Sequence, residues 1–347
     1  MEYTQYLSWT EIHKQNHEMK MTFDYIISRQ ADIVQFFADT SRDIVFLACG
    51  SSYWMSLSAH KTWALLTGRR CFAVKAGDVV LAPEEYTSAF SNPYILCPSR
   101  SGLTGEVLDA IGILKSYWPD AKVFSITEFE PNSLSALSDL NLRMPWVGET
   151  SVCQTRSFSC LYAAFTTIAA ILSDNRKLLD DLAKYMDHAS ELYRLGEEQA
   201  IRLVEKLPKM HVVSLAVGRQ YGVAIEGAYI VTEMAEQPSN YYQLLEYRHG
   251  PVVTAGNKTV VFICCGGNDQ HEEKMAQEAR ARGATICTIS GCAKPWADFA
   301  FDLGGEYQQE VVALHFVFVL QSIAFHLALA LGGNPDSPGG LVQYIVY

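Results

Sequence analysis

Residues 43–66 read DIVFLACGSSYWMSLSAHKTWALL, and this segment indicates the fold class. An apolar run with the length of a buried strand leads into a turn that contains Gly50, and a long helical pattern follows. Residues 210–234, MHVVSLAVGRQYGVAIEGAYIVTEM, have the same plan. Gly50 and its counterpart Gly218 lie 168 residues apart. The sequence therefore contains the same strand–turn–helix unit twice.

The strands that follow this unit are repeated as well. Residues 93–102, PYILCPSRSG, match residues 259–268, TVVFICCGGN. Residues 121–127, AKVFSIT, match residues 284–290, ATICTIS. Each half is thus a β-α-β-α-β unit, and strands separated by helical segments predict parallel sheets with right-handed crossovers. The predicted fold class is α/β, with two tandem domains that each contain a parallel β-sheet flanked by helices.

The repeat also predicts the domain organisation. We expect an N-terminal helix at residues 1–35, a first domain at 36–195 and a second domain at 196–330. A charged segment through about 175–200 has helical periodicity and links the halves. The C-terminal tail, residues 331–347, ends in an apolar run, and we expect it to dock onto the protein because loose termini are seldom so apolar.

The composition excludes several classes of function. Among 347 residues, 49% are hydrophobic and the formal net charge is −11, which disfavours binding to nucleic acid or to an anionic membrane surface. The nine cysteines include no CxxC pair, and several lie in apolar runs, so we interpret them as free thiols in a reducing compartment. The polar N-terminus does not resemble a signal peptide. These features predict a cytoplasmic protein.

Two further absences concern membranes and metals. Residues 311–331 are apolar and long enough to span a membrane, but His315, Gln321 and His326 interrupt the segment, so a buried core helix is the preferred interpretation. The sequence contains no HExxH pattern, the spacing typical of a zinc protease. We therefore predict no membrane partner, no metal and no cofactor.

Polar residues cluster where two strands of the first half end. CGSS at residues 49–52 and SRSGLTGE at residues 99–106 combine hydroxyl groups, glycines and backbone N–H groups at predicted helix starts. Ligands of open parallel sheets bind beyond the carboxyl ends of the strands, and a helix start with N–H and hydroxyl donors suits a phosphate. An ordinary helix cap is the alternative, because serine and threonine are favoured there in any protein.

The two halves differ at these strand ends. The matching positions of the second half read GRQY and GGND and carry few hydroxyl groups. The first half is therefore predicted to hold the phosphate, with Arg100 as a source of additional charge. Alternatively, Arg100 is a surface arginine that pairs with Glu106 or with another carboxylate. The chain contains neither a GxGxxG motif after the first strand nor a GxxxxGK[ST] motif, which disfavours nucleotide binding.

The second half offers acid–base groups. Glu226 and Glu233 are seven residues apart and hence lie on one face of a predicted helix, and Glu246 and His249 flank a Gly-Pro turn in the run LEYRHGP. A carboxylate and an imidazole are common tools of general acid–base catalysis. A partly buried structural glutamate and an unremarkable loop histidine are the alternative interpretation.

The motifs CGSSY, SRSGLTGE, AIEGAYIVTE, EYRHGP and NPDSPGGLVQYIVY together resemble the tandem sugar-isomerase (SIS) domain family over residues 35–347. This family includes the isomerase half of glucosamine-6-phosphate synthase, the fructosamine-6-phosphate deglycases and the amino-sugar ketose/aldose isomerases. The resemblance implies two flavodoxin-like domains, a phosphosugar substrate and a homodimer. It also implies that the C-terminal tail closes on the active site.

The resemblance assigns roles to individual residues. Glu233 matches the glutamate that moves a proton between C1 and C2, and His249 matches a histidine that assists ring opening from the partner subunit. The implied phosphate contacts are Ser52, Ser99, Arg100, Ser101 and Thr104. The other implied substrate contacts are Gly50, Ser51, Val152, Gln154 and Gln343.

The sequence also departs from the synthase. Gln343 and Ile230 stand where the synthase has lysines, and no glutaminase domain is expected, so amine-releasing deglycase or deaminase chemistry is favoured over glutamine-dependent amino transfer. A simple aldose–ketose isomerase remains an alternative. A protein that only senses a phosphosugar is a second alternative, which the presence of both Glu233 and His249 disfavours.

Overall fold

A computed structural model describes residues 3–343 of the chain. The eleven helices are α1 Leu7–Ser28, α2 Gln30–Phe36, α3 Gly50–Thr67, α4 Ala76–Leu81, α5 Gly105–Tyr117, α6 Ser133–Leu137, α7 Arg156–Leu172, α8 Arg176–Lys206, α9 Tyr221–Ala235, α10 Asp269–Arg280 and α11 Gln309–Ala330, counted over the described residues. The strands are β1 Ile44–Ala48, β2 Cys71–Lys75, β3 Tyr94–Pro98, β4 Lys122–Thr127, β5 Leu140–Arg143, β6 His211–Ala216, β7 Ser239–Gln243, β8 Thr259–Cys264, β9 Thr285–Ser290 and β10 Phe299–Asp302.

The strands form two parallel five-stranded sheets with the same topology. The first sheet has the order β2-β1-β3-β4-β5, and the second has the order β10-β9-β8-β6-β7, which is the same arrangement listed from its other edge. The predicted α/β fold with two flavodoxin-like parallel sheets is confirmed. Each sheet has five strands where the repeat predicts three. The additional edge strands are partly exposed, so they lack the fully buried apolar runs that mark the central strands.

The chain packs as two compact units. The first-sheet unit contains residues 17–150, 156–180 and 342–343, and the second-sheet unit contains residues 3–16, 151–155 and 181–341. The packing thus differs from the predicted border at 195/196. The reason is that α8 is more than a linker: Tyr185 and Tyr193 are fully buried, and Tyr193 stacks on Phe318 of α11 with ring centroids 3.8 Å apart.

The N-terminal segment differs from the prediction, and the predicted tail contacts it. The predicted N-terminal helix at 1–35 consists of two helices, α1 and α2. Asp336, in the predicted tail, accepts hydrogen bonds from the N–H groups of Leu7 and Ser8 at 2.9 and 2.8 Å and thereby satisfies N–H groups at the start of α1. Residues 344–347 of the predicted tail lie outside the described residues.

Apolar central strands form the core of each unit. In the first-sheet unit, β1 and β3 are buried along their whole length, and α7 is buried along almost all of its residues. In the second-sheet unit, β8 is fully buried, and α9 packs on α11. Helix α11 is long and apolar enough to cross a membrane by composition, but its most apolar 18 residues are entirely buried, as expected for a core helix.

Candidate functional site

The strand order of the first sheet reverses between β1 and β3, and an open parallel sheet forms a crevice at such a point. Strands β1 and β3 are neighbours, and the chain leaves β1 towards β2 on one side but leaves β3 towards β4 on the other. Loops at such a switch point separate beyond the carboxyl ends of the strands and leave room for a ligand. Residues 49–52 follow β1 and residues 99–104 follow β3. The topology therefore brings both predicted phosphate segments to one crevice.

The loop 99–104 is held in shape by its own side chains. Ser99 Oγ accepts a hydrogen bond from the Gly102 N–H at 2.9 Å, and Ser101 Oγ accepts one from the Leu103 N–H at 3.1 Å. Both serines are buried. Since each hydroxyl accepts in these bonds, its own hydrogen remains available for donation to a ligand oxygen.

Thr104 and Ser52 do not act as ordinary helix caps. Thr104 occupies the N-cap position of α5, yet its side chain makes no capping hydrogen bond. Gly50, Ser51 and Ser52 form the first turn of α3, where the N–H groups of a helix lack partners within the helix. The helix-cap alternative thus fails for Thr104, and the donors at both helix starts suit an anion.

Gly102 is required by the shape of this loop. Its φ of +66° lies in the left-handed region, and a Cβ at this position would lie 2.4 Å from Asn132 Oδ1. Asn132 cannot move freely, because it accepts a hydrogen bond from the Ser135 N–H at 2.7 Å and donates one to the Phe129 carbonyl at 2.7 Å. We expect Gly102→Ala to distort the loop and to weaken binding of inorganic phosphate about tenfold or more, at a stability loss of about 1–3 kcal/mol.

Isothermal titration with phosphate and urea unfolding measure these two effects. Gly112→Ala is the matched control, because Gly112 lies in the interior of α5 with open space around its Cα and no left-handed φ. That change should leave phosphate affinity unaltered and stabilise the helix by up to about 1 kcal/mol. Equal phosphate affinity of the Gly102→Ala variant and the native protein would show that the loop does not hold the anion.

The equivalent crevice of the second sheet is occupied by the protein itself. Glu272 of α10 accepts hydrogen bonds at one carboxylate oxygen from the N–H groups of Gly266 and Asn268, at 2.8 and 3.1 Å. Gln220 reaches across from the other loop and donates to the carbonyl groups of Cys265 and Gln309. A carboxylate therefore takes the place that an anionic ligand would need. Within residues 3–343, no hydrogen bond joins the matching glutamate of the first half, Glu106, to the loop 99–104.

Arg100 is a buried member of an ion pair. Its side chain is 4% exposed, and its Nη1 lies 3.3 Å from Glu149 Oε2. Its Nη2 donates to the Gln343 carbonyl at 2.6 Å. Arg100 thus pairs with a carboxylate, that of Glu149, but it is buried and is not the surface arginine of the alternative interpretation.

A second buried glutamate adjoins this pair. Glu128, at the carboxyl end of β4, accepts a hydrogen bond from the Glu149 N–H at 3.4 Å, and its own N–H donates to the Arg100 carbonyl at 3.2 Å. Burial raises the pKa of Glu128 to about 8, and the neighbouring Glu149 carboxylate adds to the rise, while Arg100 opposes it. Glu128 therefore holds its proton to a higher pH than an ordinary glutamate does. Sequence reasoning missed both glutamates.

Glu233 lies on the last turn of α9, at the wall of a cavity of about 530 Å³. The side chain is half-buried, and Gly339 and Leu341 of the predicted tail line the same cavity. The Gly339 N–H donates to Glu236 Oε1 at 2.8 Å, which holds the tail at this wall. Glu226, two turns earlier on the same helix face, is buried. Glu233 is therefore the glutamate of this helix that can meet a ligand.

His249 lies in an exposed loop of the second-sheet unit. It follows the short 3₁₀ turn Glu246–Arg248, and Gly250 after it has a φ of 127° that favours glycine. Edge strand β7 precedes the loop, and the exposed apolar side chains of Leu245 and Val253 are close to His249 in sequence. The imidazole is thus displayed on the surface of this unit.

The segment 151–155, which contains the implied substrate contacts Val152 and Gln154, is held at both ends. Glu11 accepts hydrogen bonds from the Ser151 N–H with both carboxylate oxygens, and Gln321 donates to the Thr155 carbonyl at 2.9 Å. Between these ends, Val152 and Gln154 are half-buried, whereas the alternate residues are buried. The Gln154 Oε1 atom is buried without a hydrogen-bond partner among residues 3–343. Such an acceptor normally has a partner, so a ligand or a water is expected there.

The structure thus distributes the predicted site residues over the two units. The first-sheet unit holds Gly50, Ser51, Ser52, Ser99, Arg100, Ser101, Thr104 and Gln343, and the second-sheet unit holds Val152, Gln154, Glu233 and His249. Among residues 3–343, no group of three or more His, Cys, Asp or Glu side chains is arranged to hold a metal ion.

Comparison with known proteins identifies the class of domain. Residues 207–331 match the SIS domain family, and over these residues the match confirms the resemblance drawn from the sequence motifs. The chain is 24% identical over 344 residues to the isomerizing glutamine–fructose-6-phosphate aminotransferase of Sulfurisphaera tokodaii and 26% identical over 358 residues to that of Pseudomonas aeruginosa. These alignments cover 96% of this chain but 55% and 58% of the relatives, so the chain spans a little over half of their length.

Solved structures share the fold over nearly the whole chain. Glucosamine-6-phosphate deaminase from Thermotoga maritima superposes with a TM-score of 0.82 at 26% identity, covering 98% of this chain and 100% of the deaminase. Tagatose-6-phosphate ketose/aldose isomerase from Escherichia coli superposes with a TM-score of 0.81 at 20% identity, covering 99% of this chain and 97% of the isomerase, and this likeness concerns the fold alone.

Proposed function

We propose that the protein is an enzyme that acts on an amino-substituted or ketose 6-phosphate sugar by proton transfer between C1 and C2. One observation carries this proposal. Two copies of the same fold each have a crevice at the switch point, and a glutamate carboxylate fills the second crevice, whereas the first presents hydroxyl and N–H donors. An anion binding site kept in one copy and closed in the other fits a phosphorylated substrate.

In the proposed reaction, Ser52, Ser99, Ser101 and Thr104 hold the phosphate with hydroxyl hydrogens and helix-start N–H groups. His249 helps to open the sugar ring. Glu233 removes a proton next to a carbonyl or imine and returns it to the adjacent carbon, and the resulting enolamine or imine is hydrolysed to release an amine. Proton transfer by one such group contributes about 10²–10⁴-fold, so positioning by the phosphate supplies much of the remainder.

The release of an amine, as in a deglycase or deaminase, is our preferred form of this reaction. The relative from Thermotoga maritima is named a glucosamine-6-phosphate deaminase. Gln343 and Ile230, which the resemblance aligns with lysines of the synthase, cannot form an imine with the sugar. A simple aldose–ketose isomerase is the second candidate, and the unpartnered oxygen of Gln154 suits a sugar hydroxyl in either reaction.

A panel of substrates distinguishes these candidates. Ketosamine 6-phosphates and amino-sugar 6-phosphates are incubated with the protein, and released ammonia or amino acid is measured together with the sugar product. Release of an amine supports the preferred reaction, whereas interconversion of ketose and aldose without release supports the isomerase. Binding without any turnover would point to a phosphosugar sensor and would contradict the proposed enzyme.

We further propose a cytoplasmic location.

We also propose that the enzyme is a homodimer in which His249 acts in the active site of the partner. The exposed position of His249 supports this arrangement, as do the 66% exposure of Val253 and the 38% exposure of Leu245. A surface loop that combines an imidazole with exposed apolar side chains suits burial against a second copy.

A complementation experiment tests the shared site. Glu233→Gln and His249→Ala subunits, each inactive alone, are mixed under conditions that exchange subunits. If His249 acts across the interface, half of the random dimers contain one complete site, so we expect about a quarter of the native activity. If His249 serves its own subunit, each site carries one defect and no activity returns. As a control, the His249→Ala protein alone is taken through the same exchange procedure, which should restore no activity.

A further inference from the structure

The environment of Arg100 is unusual for a residue of a phosphate-binding loop. Its side chain is buried, and its positive charge is balanced by Glu149, which is itself fully buried. An arginine that binds a phosphate directly normally presents its planar fork of N–H groups to the ligand. Here, one arm of the fork donates to Glu149 and the other donates to the Gln343 carbonyl.

The residue that accepts the second hydrogen bond of Arg100, Gln343, belongs to the C-terminal segment of the chain. The Gln343 side chain donates to the Thr150 carbonyl, one residue beyond Glu149. Gln343 is thus held twice, by its backbone carbonyl at Arg100 and by its amide group at Thr150. Both contacts lie within the first-sheet unit. The amide group contacts Thr150 directly, and the carbonyl group is connected to Glu149 through Arg100.

The loop 99–104 is coupled to the same cluster through its backbone. The Arg100 carbonyl accepts the Glu128 N–H at 3.2 Å, and the Glu149 N–H donates to the Glu128 carboxyl group. The Ser99 N–H donates to the Ile126 carbonyl at 3.0 Å. Arg100 is therefore fixed at its backbone and at both arms of its guanidinium group.

We propose that Arg100 is a positioning residue that fastens the C-terminal segment to the phosphate loop, with Glu149 orienting its guanidinium group, and that it is not itself a phosphate ligand. This inference rests on the proposed function for its catalytic meaning, but the contact with Gln343 can be tested without any substrate. The predicted assignment of Arg100 as a phosphate contact is replaced by this role.

The charge and shape of arginine are both needed for this role. A lysine keeps the positive charge, but its single ammonium group cannot hold two acceptors in one plane as the fork does. The neutral pair Arg100→Gln with Glu149→Gln removes the charge without leaving either partner buried alone, which keeps the protein folded. Arg100→Lys therefore releases the C-terminal segment by removing the fork of N–H groups, and the double variant releases it by removing the charge.

The test measures the C-terminal segment and phosphate binding separately. A carboxypeptidase digests the full chain, and mass spectrometry gives the rate of cleavage past Gln343, while calorimetry gives the affinity for inorganic phosphate. In Arg100→Lys and in the double variant, we expect about tenfold faster cleavage, because a charge-assisted hydrogen bond is lost, and a change in phosphate affinity below about twofold. Arg176→Lys, an exposed arginine paired with Asp174, is the control that should alter neither quantity.

Two results would overturn the proposal. One is a phosphate affinity that falls about tenfold while cleavage past Gln343 keeps its native rate, because Arg100 would then be a phosphate ligand. The other is an unchanged cleavage rate in both variants. If the native protein binds no phosphate, the proposed function fails, yet the cleavage rates still decide whether Arg100 holds the segment.

Discussion

Glu233→Gln should remove turnover of phosphorylated sugars and leave their binding nearly unchanged. Glutamine has the same shape as glutamate, but its amide group cannot accept and return a proton at C1 and C2. The half-buried position of Glu233 at the cavity wall keeps the side chain in place in either form. A fall in kcat of about 10²–10⁴-fold is expected, which is the usual contribution of a general base.

Steady-state kinetics and calorimetry with the same phosphosugar measure these two quantities. The control is Glu198→Gln, because Glu198 is an exposed residue of α8 that pairs with Arg194 and exposed ion pairs contribute little. The control should keep native kcat and native affinity. If the Glu233→Gln variant retains full kcat, another group carries the proton and the proposed mechanism is wrong.

Glu128→Gln should stabilise the protein relative to the native chain by an amount that grows as the pH rises from about 5 to about 8. Burial raises the pKa of Glu128 from 4.5 to about 8, so the folded state keeps a proton that the unfolded state loses near pH 4.5. Over this range the unfolded state binds fewer protons, and the unfolding free energy of the native protein therefore falls as the pH rises. Glutamine does not titrate, so the variant avoids this loss, which amounts to at most about 5 kcal/mol at pH 8.

Urea unfolding at several pH values between 5 and 8.5 measures the effect. Glu85→Gln serves as the control, because Glu85 is exposed in the same unit, and its unfolding free energy should follow that of the native protein. A difference between Glu128→Gln and the native protein that stays constant with pH would show that Glu128 titrates at an ordinary value.

The central strands of both sheets could be predicted from the sequence because each is buried on both faces. Strands β1, β3 and β8 are continuous apolar runs, and the repeat of such runs in the same order in both halves indicates two copies of one fold. Strand β7 escaped prediction because its residues are largely exposed and contain no apolar run. Edge strands of this kind are defined by pairing with a neighbour, which a local pattern does not reveal.

The part of the candidate site that consists of neighbouring residues could be predicted from the sequence. Hydroxyl groups at strand ends are visible as local clusters, and so is the contrast between the loop 99–104 and its counterpart in the second half. The burial of Arg100 was not visible, because its partners Glu149 and Gln343 are distant in sequence and nothing near Arg100 marks them. The hydrogen bonds of Glu272 to the N–H groups of Gly266 and Asn268 could not be predicted either, because the sequence of α10 has the pattern of a solvated amphipathic helix.

The central claim is that the first sheet holds the phosphate of a sugar that reacts at C1 and C2. The most direct measurement compares ketosamine and amino-sugar 6-phosphates with the same sugars without phosphate, in assays for released amine and for sugar product. We expect turnover of at least one phosphorylated compound, little or none of its unphosphorylated form, and loss of that turnover in Glu233→Gln. Turnover of neither form, or equal turnover of both forms, would contradict the central claim.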